Sequence, residues 1–194
     1  TKHGFLVREG DALERLASVK KVAFDKTGTL TYGTPQVTAV VSYLKDLSWG
    51  NLYAYAASAE LNSEHPLGKA IVHSYKEEMK NAPTAPEDFK MLPGRGVRAL
   101  TDSHRVFAGN HELFAENDIT LTEEMTGKAE IFLEKGCTVI CLAVDNRSAG
   151  FIALSDTLRQ NAADTIDAVK DCGVTPVLLT GDHENAAGHI ARQL

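Results

Sequence analysis

Polar and apolar positions along the 194 residues fall into two rhythms. Spacings of three and four predict helices at Asp11-Ala-Leu-Glu-Arg-Leu-Ala, from Ser48 (as N-cap) to about 61, and from Pro66 to about 80. The same rhythm predicts helices at 111–116, 123–135 and 159–171, with a last helix running to the C-terminus. Alternation, or a short unbroken apolar run, predicts strands at 21–24, 35–44, 89–92, 96–101, 104–108, 137–144, 149–154 and 174–179. Asp102-Ser103 and Asp145-Asn146-Arg147 have the residues of hairpin turns, and Gly136 and Gly173 those of helix stops. Asn81-Ala-Pro-Thr-Ala-Pro-Glu reads as a loop.

The runs at 21–24 and 174–179 are expected to be buried strands, neighbours in a parallel Rossmann-like sheet with sites at their carboxyl ends. Everything between about Thr34 and Ser155 then becomes an insertion, an antiparallel sheet with helices. The fold class expected is α/β: a partial Rossmann-like domain at 1–33 and 156–194 carrying an inserted α+β domain at 34–155. No internal repeat or low-complexity segment interrupts it.

Composition narrows the partners. Hydrophobic residues make up 43% and charged residues 24%, as in ordinary globular chains, while a net charge of −6 argues against nucleic acid. No apolar run approaches the roughly 18 residues that would span a bilayer, and no signal peptide is visible, so this piece is expected to be soluble. Cys137, Cys141 and Cys172 are odd in number and lack CxxC spacing, which points to reduced thiols. Cys137 and Cys141 fall on one side of a strand, as buried small hydrophobes or, alternatively, a metal clip. His3, His73, His104 and His111 have no ligand spacing, and His183 and His189 share no helical face. No transported-ion site is expected in this chain.

The most specific chemistry lies at Asp25-Lys26-Thr27-Gly28-Thr29-Leu30-Thr31, directly after the first apolar run. A carboxylate at a strand end can attack phosphorus, and a Gly/Thr turn supplies N–H and hydroxyl donors to phosphate oxygens. Lys26 adds positive charge where a transferring phosphoryl accumulates negative charge. Thr-Gly-Thr is also plain turn chemistry. The segment resembles the phosphorylation loop of P-type ATPases, ion pumps built on a haloacid-dehalogenase-like domain. Many soluble phosphatases of that superfamily carry a second aspartate two residues on, as general acid and base. Here that position is Thr27, which cannot relay a proton near neutrality, so an acyl-phosphate should persist.

Ser63-Glu64-His65-Pro66-Leu67, Gly94-Arg95-Gly96 and Gly109-Asn110 resemble the nucleotide-binding domain of the heavy-metal (P1B-type) pumps. The resemblance implies that Glu64 and His65 contact the adenine side of ATP, that Gly94 and Gly96 let the backbone approach it, and that Gly109 and Asn110 lie beside it. An exposed charge at a helix entry would also account for Glu64-His65-Pro66. Thr180-Gly181-Asp182 resembles the superfamily's second motif, whose threonine holds the phosphoryl group, although a threonine N-cap is equally ordinary there. Asp156-Thr-Leu-Arg159 resembles the hinge that joins the two domains, against a solvated charge pair at a helix start.

The resemblance implies ATP and Mg²⁺ as cofactors, with Asp25 and the Thr27 carbonyl as protein ligands of the metal. It also implies that the lysine and Gly-Asp-Gly loop that complete such a site lie outside this stretch, so the chain is expected to be a piece of a pump not competent alone. Its partners would be the actuator and transmembrane domains of the same pump and a heavy-metal cation at a membrane site. Its place would be the cytoplasmic side of a cell membrane. The alternatives are a free-standing phosphatase of this superfamily and a nucleotide-binding module without chemistry of its own.

Overall fold

In the computed structural model, which describes residues 10–180 and 184–194, two sheets share the chain. β1 (Lys21–Asp25) and β8 (Thr175–Leu179) pair in parallel, with Asp25 opposite Leu179. Between them run β2 (Thr31–Ser42), β3 (Asp88–Leu92), β4 (Gly96–Thr101), β5 (His104–Gly109), β6 (Thr138–Val144) and β7 (Arg147–Leu158). These six form an antiparallel sheet in the order β2-β7-β6-β5-β4-β3.

Helices cover both faces of that sheet. On one, α2 (Trp49–Ala59) and α3 (Pro66–Met79) pack Leu52, Tyr53, Ile71 and Tyr75 against Val106, Ala108, Ile140, Leu142 and Ile152. On the other, α4 (His111–Glu116) and α5 (Glu123–Glu134) pack Leu113, Phe114 and Met125 against Phe107, Cys141, Ala143 and Phe151. Successive residues of β6 thus point into opposite cores, which is why it reads as an unbroken apolar run. Cys141 is buried here and Cys137 half-buried beside it, and burial pushes the Cys141 thiol up to about 11. They behave as small hydrophobes, and no cluster of three His, Cys, Asp or Glu able to hold a metal occurs among the described residues.

Local signals account for the element ends. Ser48 Oγ accepts from the Asn51 N–H at 3.1 Å to start α2. The turns Asp102-Ser103 and Asp145-Asn146 both have positive φ at both positions, as tight hairpins with right-twisted strands require. α5 ends before Gly136 and α6 (Ala162–Asp171) before Gly173, each glycine with φ near +75°.

Several expectations need correcting. β1 and β8 are not buried strands: residues along both alternate between exposed and half-buried, because their sheet has two strands among the described residues. α1 (Asp11–Ala17) forms, but no residue of it is buried, and Leu13 and Leu16 are 53% and 64% exposed. β2 begins at Thr31 rather than 35, and β7 runs on to Leu158 rather than stopping at 154. α6 therefore starts at Ala162 and not at 159, since Asp156 belongs to the extended strand. α7 (Glu184–Ala191) follows near the end, and no described helix is long and apolar enough to cross a membrane.

Candidate nucleotide cleft and phosphorylation loop

Asp25 closes β1 with its side chain in the open, and the chain then turns through Lys26–Leu30, with Gly28 at φ 78°. Because β1 and β8 run parallel, the carboxyl end that presents Asp25 also presents Thr180, one residue beyond Leu179. Asp25, Lys26, Thr27 and Thr180 are thus gathered at one sheet edge. Gly181 and Asp182 lie outside the described residues.

The loop is held from behind. Thr31, 1% exposed, sets its hydroxyl 2.5 Å from Asp156 Oδ2 and 3.0 Å from the Lys26 carbonyl. Its single proton goes to the charged and nearer acceptor. The same oxygen accepts from the Gly28 N–H at 3.2 Å. The Asp156 carboxylate also accepts from the N–H groups of Gly33 and Thr34 at 3.0 to 3.2 Å. Arg159 donates through Nε to the Thr31 carbonyl and through Nη2 to the Gly28 carbonyl, both at 3.1 Å, and its guanidinium lies 5.1 Å from the Tyr32 ring centre. Asp156 and Arg159 are therefore joint-forming residues where β2 and β7 leave the loop, not a solvated pair at a helix start.

A cleft of about 310 Å³ opens on the six-stranded sheet, between the α2–α3 connection, the β3–β4 turn, the end of β5 and the start of β6. Its lining gathers His65, Gly94, Gly96, Gly109 and Asn110 from three stretches of sequence. Leu67, Val97, Val139 and Ile140 add apolar wall, suited to the faces of a planar base.

Each of these residues is held by its own element. His65 is the N-cap of α3, its Nδ1 accepting from the Leu67 N–H at 3.3 Å. That bond assigns the proton of a neutral ring to Nε2, a donor for the cleft. Asn110 caps α4 by accepting from the Leu113 N–H at 3.1 Å, and its Nδ2 donates to the Gly94 carbonyl at 2.9 Å. The glycines differ in purpose. A Cβ at Gly94 would meet nothing within 4 Å, and its φ of 71° is what the turn requires. A Cβ at Gly96 would sit 2.1 Å from the Ala108 carbonyl oxygen, and one at Gly109 would sit 2.2 Å from that of Arg95. Those two glycines face each other in register, and neither position has room for a side chain.

Glu64 is not in this cleft. Its side chain is 88% exposed and bonds Lys69 Nζ at 2.9 Å. The carboxylate that lines the cleft is Glu60, the C-cap of α2, 5% exposed. Burial raises its pKa to about 6, against a smaller opposing effect of the Ser63 hydrogen bond. A signal for it was present: Glu60 is the only charged residue between Asp46 and Glu64, and it stands five positions before His65.

Residues 19–194 match the haloacid dehalogenase-like hydrolases. A copper-exporting P-type ATPase of Staphylococcus aureus (strain bovine RF122 / ET3-1) is 37% identical over 193 residues, which is 100% of this chain. The chain spans 23% of that relative's length. Among solved structures, a zinc-transporting PIB-type ATPase in the E2.Pi state superposes with a TM-score of 0.80 at 36% identity, over 100% of this chain and 31% of that one. The catalytic domain of the CPx-ATPase CopB-B, solved for its conformational changes upon nucleotide binding, gives 0.70 at 26% identity, over 97% of this chain and 65% of that one. With its strand-end Asp25, its parallel sheet and its match over residues 19–194, the chain belongs to the haloacid dehalogenase-like hydrolase family, within which it resembles the catalytic region of heavy-metal P-type ATPases.

Proposed function

We propose that this chain is the nucleotide-binding and phosphorylation region of a heavy-metal-translocating P-type ATPase, with residues 34–155 as the nucleotide-binding unit. ATP binds in the cleft with its adenine between the apolar walls. Ionised Glu60 accepts a hydrogen bond from the 6-amino group, and His65 Nε2–H donates to the base. Glu60, not Glu64, is the carboxylate of this site. Gly94, Gly96, Gly109 and Asn110 shape the wall that admits the nucleotide.

The observation that carries this reading is the convergence of Glu60, His65, the glycine turn and Asn110 on one apolar cleft, in a chain that also presents Asp25 at a strand end. In the reaction, an Asp25 oxygen forms a bond to the γ-phosphorus while the bond from that phosphorus to the bridging oxygen breaks, and ADP leaves. Lys26 and Thr180 complete the surroundings of the transferred group, and the sequence motif adds Gly181 and Asp182 to the proposed site. The Asp25 carboxylate and the Thr27 carbonyl are hard oxygen donors of the kind Mg²⁺ takes alongside phosphate and water, so the residues present fit that ion. An ion held by those oxygens would supply positive charge against the transferring phosphoryl. Thr27 offers no proton relay, so the aspartyl-phosphate outlives the transfer and can be coupled to movement of a cation such as copper or zinc through membrane segments of the same pump. The actuator and transmembrane domains would be its partners, and the chain would lie on the cytoplasmic side.

The test is phosphorylation of the full-length polypeptide carrying this region, with γ-labelled ATP and Mg²⁺. An acid-stable, hydroxylamine-sensitive label that disappears in Asp25→Asn is expected. Label that survives Asp25→Asn would overturn the assignment.

A further inference from the structure

Gly68 lies in the first turn of α3, a helix that runs from Pro66 to Met79. Glycine there lowers helix stability by about 1 kcal/mol relative to alanine, so its presence calls for a spatial reason. The reason is visible: a Cβ on Gly68 would sit 2.3 Å from Glu60 Oε2, 2.7 Å from Ser63 Oγ and 2.8 Å from Ser63 Cβ. The Glu60 carboxylate thus rests on bare helix backbone. This is the first turn of the helix, where backbone N–H groups lack intrahelical partners and the helix dipole favours an anion. Both Glu60 and Ser63 are buried, and both line the cleft.

We propose that Gly68 is a positioning residue that, by omitting a Cβ, seats the Glu60 carboxylate in the cleft wall and thereby sets a preference for 6-aminopurine over 6-oxopurine nucleotides. The inference rests on the nucleotide reading of the cleft given above. A carboxylate accepts from an exocyclic amino group, whereas a 6-oxo group turns a lone pair against it. With a methyl group at position 68, the flexible end of Glu60 gives way before the helix backbone does. The carboxylate then leaves the position that reads the base. Ser63, whose Cβ cannot swing aside, presses on the connecting loop as well, and that distortion weakens all nucleotides alike. The ratio of affinities is therefore the informative quantity.

The experiment titrates the chain with ATP and with GTP in the wild type, Glu60→Ala, Gly68→Ala and the double variant. Glu60→Ala is expected to narrow the ATP-to-GTP preference about tenfold, the worth of one hydrogen bond to a charged group. Gly68→Ala should narrow it comparably, and the double variant should show little beyond Glu60→Ala, as coupled neighbours do. Should Gly68→Ala fail to fold, Ser63→Gly in the same background removes the rigid clash and leaves only the contact with the Glu60 carboxylate. That pair should fold and still show the narrowed preference. A Gly68→Ala protein, or the rescued pair, that binds ATP and GTP more weakly but keeps the wild-type ratio would overturn the role of Gly68. A Glu60→Ala protein with unchanged ATP affinity would instead remove the assignment of the cleft itself.

Discussion

At the scale of single residues, Glu60 and Glu64 show how local sequence misleads. Glu64 adjoins His65 and so shares its motif, yet a helix N-terminus points consecutive side chains apart, and Glu64 ends in water beside Lys69. Glu60 reaches the same cleft from the last turn of α2, across a loop whose path no periodicity describes. His65, Gly94, Gly96, Gly109 and Asn110 were legible as motif residues because each also does local work, as a cap or at a turn or close strand pair. Buried Glu60 has a folded pKa of about 6 against an ordinary 4.5. Because the folded value is raised, the associated stability is fully present below pH 4.5 and lost as pH rises through 6. The loss amounts to about 2 kcal/mol. Glu60→Gln should therefore be the more stable protein at pH 7 by up to about 2 kcal/mol, with the gap closing towards pH 4.5, as urea melts across that range will show. ATP affinity of the wild type should move the other way, falling as pH drops through 6 and the carboxylate loses the charge that strengthens it as an acceptor. If the affinity is flat between pH 5 and 7.5, ionised Glu60 is not the acceptor.

At the scale of elements, strand positions were readable from alternation and the two tight turns from their polar residues. What alternation could not supply was the number of strands flanking β1 and β8, and hence how buried they are. Nor could it place the start of α6, since 155–161 is polar apart from Leu158 whether strand or helix. The glycines of the cleft separate by element. Gly94 sits in a turn with free space around it, so Gly94→Ala should lower stability by about 1 kcal/mol through its positive φ alone. Gly96 is locked against Gly109 in the β4–β5 pair, and Gly96→Ala should cost about 3 kcal/mol or more by forcing the strands apart. Chemical denaturation of the two variants decides it, and equal losses would contradict the distinction.

At the scale of the whole molecule, the cleft and the Asp25 loop belong to different sheets, joined where β2 and β7 meet the Lys26–Leu30 turn. Asp156 is the hub of that joint, tying Thr31, Gly33 and Thr34, and Arg159 ties Gly28 and Thr31. Asp156 and Arg159 stood out as a motif in the sequence, but their partners lie more than a hundred residues away, so their identity emerged only from the fold. Asp156→Ala should lower stability by about 2 kcal/mol, because N–H groups bonded to a charged acceptor are released. Amide exchange at Gly33 and Thr34 should accelerate while ATP affinity stays within about twofold, since the cleft shares no residue with the joint. Loss of ATP binding in that variant would show that the two parts are energetically one.

The most direct measurement is titration of the isotopically labelled chain with ATP, followed by backbone amide shifts. The largest changes are expected at Glu60, His65, Gly94, Gly96, Gly109 and Asn110. Unmoved amides there, or changes centred instead on the Lys69, His73 and Lys76 face of α3, would contradict the assignment of the cleft.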